Sequence, residues 1–181
     1  VDDTIFTSPD YSMNHGDKNY RSNNIKKYIV NLQSFFDLIE KKMNLKIIVA
    51  ASGKYIYDKN PYNREIIYQK TAELIQHANV IIGHNSSALN QAIVNKKPTL
   101  MIFDSTIKKE KKMKIHYVSK YLNIRPLNIE NYSEKELDEN LNNINDTDSV
   151  IKKYFLENIG KDNVLTSYEI IAKKINTIEF R

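Results

Sequence analysis

Between Ala78 and Phe103 the chain reads as a short buried strand, a small polar turn, a helix and a second buried strand. The strands, Val80-Ile81-Ile82 and Thr99 to Phe103, are apolar runs without polar alternation, as expected of strands covered on both faces. Two such strands joined by a helix-length segment specify a parallel pair, because parallel neighbours need a crossover of about a dozen residues or more. A third run, Lys46-Ile47-Ile48-Val49-Ala50-Ala51, has the same character.

The remaining segments fit this frame. Thr4-Ile5-Phe6-Thr7 is a candidate strand that opens into the polar loop Ser8 to Asn23. From about Asn24 to Lys42, Ile25, Tyr28, Ile29, Leu32, Phe35, Phe36 and Ile39 recur at helical spacing. A second polar loop, Ser52 to Asn63, precedes a stretch from Arg64 to Ala78 that reads as helix. Ser86 to Asn95 and Lys108 to Leu122 are further helices, and Ile124 to Ile129 is an edge strand because it holds Pro126. Ser133-Glu134-Lys135-Glu136 matches a capping box opening another helix. Helices follow at about Ser149 to Asn158 and Val164 to Ile178, separated by Gly160. Strands alternating with helices predict an α/β domain with a parallel sheet of about five or more strands and right-handed connections. The region from about 131 to 181 is expected as a helical extension of that single domain.

Composition narrows the chemistry. With 181 residues, 41% of them hydrophobic and 27% charged, the chain can build one real core. There is no cysteine, which removes disulfides and thiolate catalysis. No run approaches the roughly 18 apolar residues that span a bilayer. The chain begins at Val1 and not Met, so it is expected to be a piece of a longer protein. Its net charge of +5 suits an anionic ligand or an acidic membrane surface.

In parallel sheets, ligands bind beyond the carboxyl ends of the strands. The loops expected there are Ser8–Asn23, Ser52–Asn63, Gly83–Ser87 and Asp104–Lys108. In Gly83-His84-Asn85-Ser86-Ser87, free backbone N–H groups and two hydroxyls meet at a helix start, an arrangement that favours a phosphate. The same residues also serve a plainer purpose, with Asn85 or Ser86 simply capping the helix. His84 is a candidate donor to a phosphate or a sugar hydroxyl. Lys54 could neutralise a phosphate as a point charge, and Arg64 could do so bidentately. Asp10 and His15, in the long first loop, are the candidate acid/base pair. The run Lys108-Lys109-Glu110-Lys111-Lys112-Met113-Lys114 reads as a solvated helix face, with contact to anionic lipid as the other reading.

Other chemistries lack their residues. There is no GxGxxG, Walker or GxSxG sequence, and His15, His77, His84 and His116 are not at metal-ligand spacing. The positive charges are scattered and no RNA-binding motif occurs, so nucleic acid is not an expected partner.

The run Ala78-Asn79-Val80-Ile81-Ile82-Gly83-His84-Asn85-Ser86-Ser87-Ala88, followed by Ala92 and Lys97-Pro98, resembles a stretch of the C-terminal half of GT-B glycosyltransferases. In that family a strand, an H-x-S-[ST]-type turn, a helix and a G-K-P or K-K-P precede the next strand. Ala50-Ala51-Ser52-Gly53-Lys54, with Tyr57 and Arg64, is similar in spacing to an A-H-P-K…R loop of the bacterial capsule and lipopolysaccharide enzymes, although Ser52-Gly53 replaces the His-Pro. The resemblance covers roughly residues 4 to 130. It implies a three-layer α/β/α Rossmann-like half that binds a nucleotide-sugar, with diphosphate contacts from Ser86 and Ser87 and a further one open to Lys54; Asn85 and His84 are candidates from the turn's own residues. Gln91 stands where the family often has an acid on the ribose; its amide hydrogen-bonds a diol without charge. The resemblance implies no metal and no cofactor beyond the nucleotide-sugar substrate. It also implies an N-terminal half of the same protein carrying the acceptor site, so that this chain alone holds a donor without completing transfer. The expected setting is cytoplasmic, with peripheral contact at the inner face of the membrane as a further option. UDP-sugar 2-epimerases share a related serine turn, and a non-catalytic sugar-nucleotide or glycan-binding module is the third reading.

Overall fold

The structure, a computed structural model, describes residues 24–53, 56–121 and 123–143. Among the described residues it is an α/β fold in which every strand pairing is parallel. The expected strand Thr4–Thr7, the first polar loop and the two helices after residue 148 lie outside the described residues.

Helix α1 spans Ile25–Met43. Asn24 starts it by accepting the Lys27 N–H on its side chain at 3.0 Å, which satisfies a donor the first turn would otherwise waste. Asn44 stops it in the left-handed conformation at φ 51°, one of the few non-glycine residues that tolerate it. Tyr28, Leu32, Phe35, Phe36 and Ile39 form its buried stripe. Strand β1, Ile48–Ala51, follows and pairs with β2, Glu65–Tyr68, in the register Ile48 to Glu65 through Ala51 to Tyr68.

The second strand corrects the expectation of a helix from Arg64 to Ala78. Only Thr71–His77, helix α2, is helical. Ile66, Ile67 and Tyr68 are β-branched or aromatic, and four residues of ladder against β1 outweigh a helical period too short to be decisive. Gln69, at φ 59°, turns the chain between the two elements.

Strand β3 is Ile81–Gly83, helix α3 Ala88–Val94 and strand β4 Thr99–Phe103. β3 lies beside β4, and β4 beside the two-residue β5, Leu127–Asn128, which is the edge strand Pro126 foreshadowed. Helix α4 spans Lys109–Tyr121 and α5 Glu134–Asn143. The capping box at α5 is formed in both directions: Glu136 N–H donates to Ser133 Oγ at 3.1 Å, and Ser133 N–H donates to Glu136 Oε2 at 3.1 Å. The five described strands fall into a two-stranded and a three-stranded piece, and no hydrogen-bonded ladder joins β1 to β3 among the described residues. One core nevertheless serves both pieces, running from Phe35 of α1 through Ile75, Leu89, Leu100 and Met101 to Ile115 and Leu137.

Among the described residues, no helix is long and apolar enough to cross a membrane.

Candidate functional site

The carboxyl end of β3 delivers the chain into the turn Gly83–Ser87. His84 is its first side chain and is 5% exposed. Its Nε2 lies 2.8 Å from the Tyr28 hydroxyl of α1. Burial, followed by the nearby Lys111 ammonium, pushes the imidazole from its ordinary 6.5 to about 3. The ring is therefore neutral at physiological pH, and the expectation of His84 as a ready phosphate donor gives way to a core hydrogen bond. Its Nδ1 is buried and has no hydrogen-bond partner among the described residues.

The next three residues behave differently. Asn85 is half-buried, and its carbonyl and side-chain oxygens accept from Lys111 Nζ at 3.4 and 3.3 Å. Ser86 Oγ accepts the Ala88 N–H at 3.3 Å, a weak contact that leaves the hydroxyl proton available. Ser87 is exposed, sits in the right-handed helical conformation and makes no side-chain cap bond. The capping purpose open to these residues is thus met loosely, by Ser86 alone. Helix α3 has only seven residues, so its dipole adds little to the turn.

Lys111 is the residue that sequence reasoning missed. The basic run containing it reads as a solvated face, and Lys109 and Lys114 are indeed exposed, but Lys111 is only 3% exposed. Its helical spacing to buried Ile115 and Ser119 is the signal that could have found it. An ammonium buried against Asn85 sets a positive potential behind the two serines, where solvent screens it less than at the surface.

Beside this turn, the carboxyl end of β4 delivers Asp104, which is fully buried. Its Oδ1 accepts from Thr106 N–H at 2.9 Å, Thr106 Oγ1 at 2.7 Å and Ile107 N–H at 3.2 Å. Its Oδ2 accepts from Asn31 Nδ2 of α1 at 3.0 Å. The carboxyl group thereby folds the next loop upon itself and anchors it to α1. Around the rim, Glu130 pairs with Lys27 and accepts the Ser105 N–H at 3.1 Å. The Lys27 ammonium, with help from Ser105, lowers the Glu130 carboxyl to about 2.

Arg64 is not brought to this region. Its guanidinium is 10% exposed and bridges Asp37 and Glu40 of α1, with Glu40 at 2.9 Å. Tyr28, which marks the turn, is nine residues before Asp37 on the same helix, or about 14 Å along its axis. The phosphate role expected of Arg64 is therefore replaced by clasping β2 to α1. Arg64→Ala should lower stability by about 1–2 kcal/mol in urea unfolding, since it strands Glu40 and removes a packed stem, while leaving any ligand affinity at the turn unchanged. Gln91 sits exposed on α3, four residues beyond Ser87. Lys54, Asp10 and His15 lie outside the described residues.

Among the described residues, no group of His, Asp and Glu side chains is placed to hold a metal ion. What the arrangement can do is bind an anion. Ser86 is half-buried and Ser87 exposed, and the buried Lys111 ammonium lies on the neighbouring Asn85. No protein-family model, curated protein or solved structure matches this chain.

Proposed function

We propose that this chain is the nucleotide-sugar-binding half of a GT-B glycosyltransferase of bacterial surface polysaccharide or lipopolysaccharide biosynthesis. In this reading the two strand pieces belong to a three-layer Rossmann-like domain, and the Gly83–Ser87 turn holds the donor's diphosphate. The observation that carries it is the pairing of Ser86 and Ser87 at a strand's carboxyl end with Lys111 buried against Asn85. That is where ligands of parallel sheets bind. A fixed ammonium there costs no reorganisation as charge builds on a leaving diphosphate. The acceptor and the base that deprotonates it would come from the other half of the same protein.

Isothermal titration with UDP, CDP and GDP tests the reading. One of the three should bind, and the double variant Ser86→Ala, Ser87→Ala should weaken that nucleotide more than tenfold, or by about 1.4 kcal/mol. Failure of all three to bind, or an unchanged affinity in the double variant, overturns the assignment.

A further inference from the structure

Helix α4 turns two large apolar side chains to solvent in the middle of a basic surface. Its buried side is made by Lys111, Ile115 and Ser119, spaced four apart. Met113 and Tyr117 each stand two residues from Ile115, and at 3.6 residues per turn that is about 160° round the helix. They form the crest of the outer face and are 63% and 62% exposed. Being four residues apart, they stack one above the other. Single exposed apolar side chains are ordinary, but this is an adjacent pair, and lysines surround it. Lys109 stands one turn before Met113, Lys120 three residues after Tyr117, and Lys114 on one flank, all three exposed. Lys112, on the other flank, is half-buried and donates to the Ser105 carbonyl at 3.2 Å. Glu110 is the one acidic residue of the helix. The strip from Lys109 to Lys120 is about 16 Å long.

We propose that this face docks α4 on a bilayer surface rich in anionic lipid, with the helix lying in the membrane plane. The charge of the face and its apolar crest select the occupant together. A second copy of the chain meets neither need, because a two-fold contact sets these lysines against themselves. A nucleic acid answers the charge but offers no apolar layer to Met113. Anionic lipid supplies both, with phosphates for Lys109, Lys114 and Lys120 and acyl chains just beneath for Met113 and the Tyr117 ring. Tyrosine suits that boundary, since its hydroxyl stays among the headgroups while the ring sinks below them. Two apolar side chains bury too little area to hold the chain alone, so attachment is reversible, depends on lipid charge and weakens with salt. The inference stands on the outer face of α4 and not on the ligand assigned to the turn.

The chain has no tryptophan, so Met113→Trp places a single indole at the centre of the face. With mixed phosphatidylcholine and phosphatidylglycerol vesicles its emission should shift to the blue and be quenched by lipids brominated on the acyl chain. Phosphatidylcholine alone should give neither effect, and about 1 M salt, where the Debye length is about 3 Å, should abolish both. Lys109→Gln, Lys114→Gln and Lys120→Gln together should weaken vesicle binding at least tenfold, since each lysine near an anionic surface contributes about fivefold. Val30→Trp, on an exposed position of α1, is the control and should stay unquenched. Equal quenching at Val30→Trp would mean that net charge adsorbs the chain without regard to face, and overturns the proposal. So do the absence of any shift with the mixed vesicles, a shift that single-stranded DNA gives and vesicles do not, and one that grows with protein concentration before lipid is added. Sedimentation of the unmodified chain with the same vesicles covers a tryptophan that disturbs the helix. The chain should pellet only with phosphatidylglycerol present and be released by salt, and failure to pellet overturns the proposal.

Discussion

Replacing Asp104 by alanine should destabilise the protein by about 3 kcal/mol or more in urea or thermal unfolding. The carboxyl group is fully buried and accepts four hydrogen bonds, two of them from the backbone N–H groups of Thr106 and Ile107. Alanine leaves both N–H groups buried without an acceptor, at about 1–3 kcal/mol each, and frees Asn31 from the strand end. The Thr106 hydroxyl can rotate toward another acceptor, so its loss adds less. Asp104→Asn should recover much of the deficit, because one amide oxygen can still accept both N–H groups. An alanine variant that loses less than about 1 kcal/mol would show that the loop after β4 does not depend on this side chain.

The second large effect is a loss of stability on acidification that belongs to His84. Its folded pKa, about 3, lies below the ordinary 6.5. The unfolded chain therefore binds a proton that the folded chain refuses. The contribution is whole above about pH 6.5 and falls away as pH drops from there toward 3, by at most about 1.4 kcal/mol per pH unit. Glu130, lowered to about 2, acts with the same sign at lower pH, from its ordinary 4.5 downward. His84→Gln, which keeps a hydrogen-bonding group toward Tyr28 but cannot titrate, separates the two. Between about pH 7 and pH 5 the unmodified protein should lose about 2 kcal/mol more than His84→Gln in urea unfolding. Parallel pH profiles for the two proteins would mean that His84 is protonated without penalty and is not sealed in the core.

The two effects flank the candidate site from opposite sides. His84 roots the Gly83–Ser87 turn in the core through Tyr28, and Asp104 roots the neighbouring loop through Asn31. Both anchors lie on the first two turns of α1, so that helix holds the two strand ends in register. A turn so rooted can present Ser86, Ser87 and the Lys111 ammonium in a fixed geometry, which is what recognition of an anion requires.

Much of this architecture was legible from residue pattern. β4 matches its expected span residue for residue, because Thr99–Phe103 is apolar on both faces and bounded by Pro98 and Asp104. α1 differs from its expected span by one residue at each end, since a seven-membered apolar stripe and Asn24 mark it locally. The Ser133–Glu136 capping box formed as spaced. β2 was not legible. A four-residue strand next to a seven-residue helix carries too few periods to separate the two, and the ladder to β1 made the choice. The candidate site was legible as a place more than as a set of roles. The turn stands at a strand's carboxyl end, but His84 turned inward, Arg64 went to Asp37 and Glu40, and Lys111 came from a run that reads as solvated.

The sequence by itself determined the α/β class with parallel strands and the position of the polar turn after β3. Those follow from hydrophobic period, strand-bounding residues and caps, all of which act over a few residues. Only the tertiary structure decided the separation into two strand pieces, the burial of His84 and Lys111 and the partners of Arg64 and Asp104. A charge or a polar group is priced by what surrounds it after packing. The side chains that surround these four come from elements dozens of residues away, as Tyr28 does for His84 and Asn31 for Asp104.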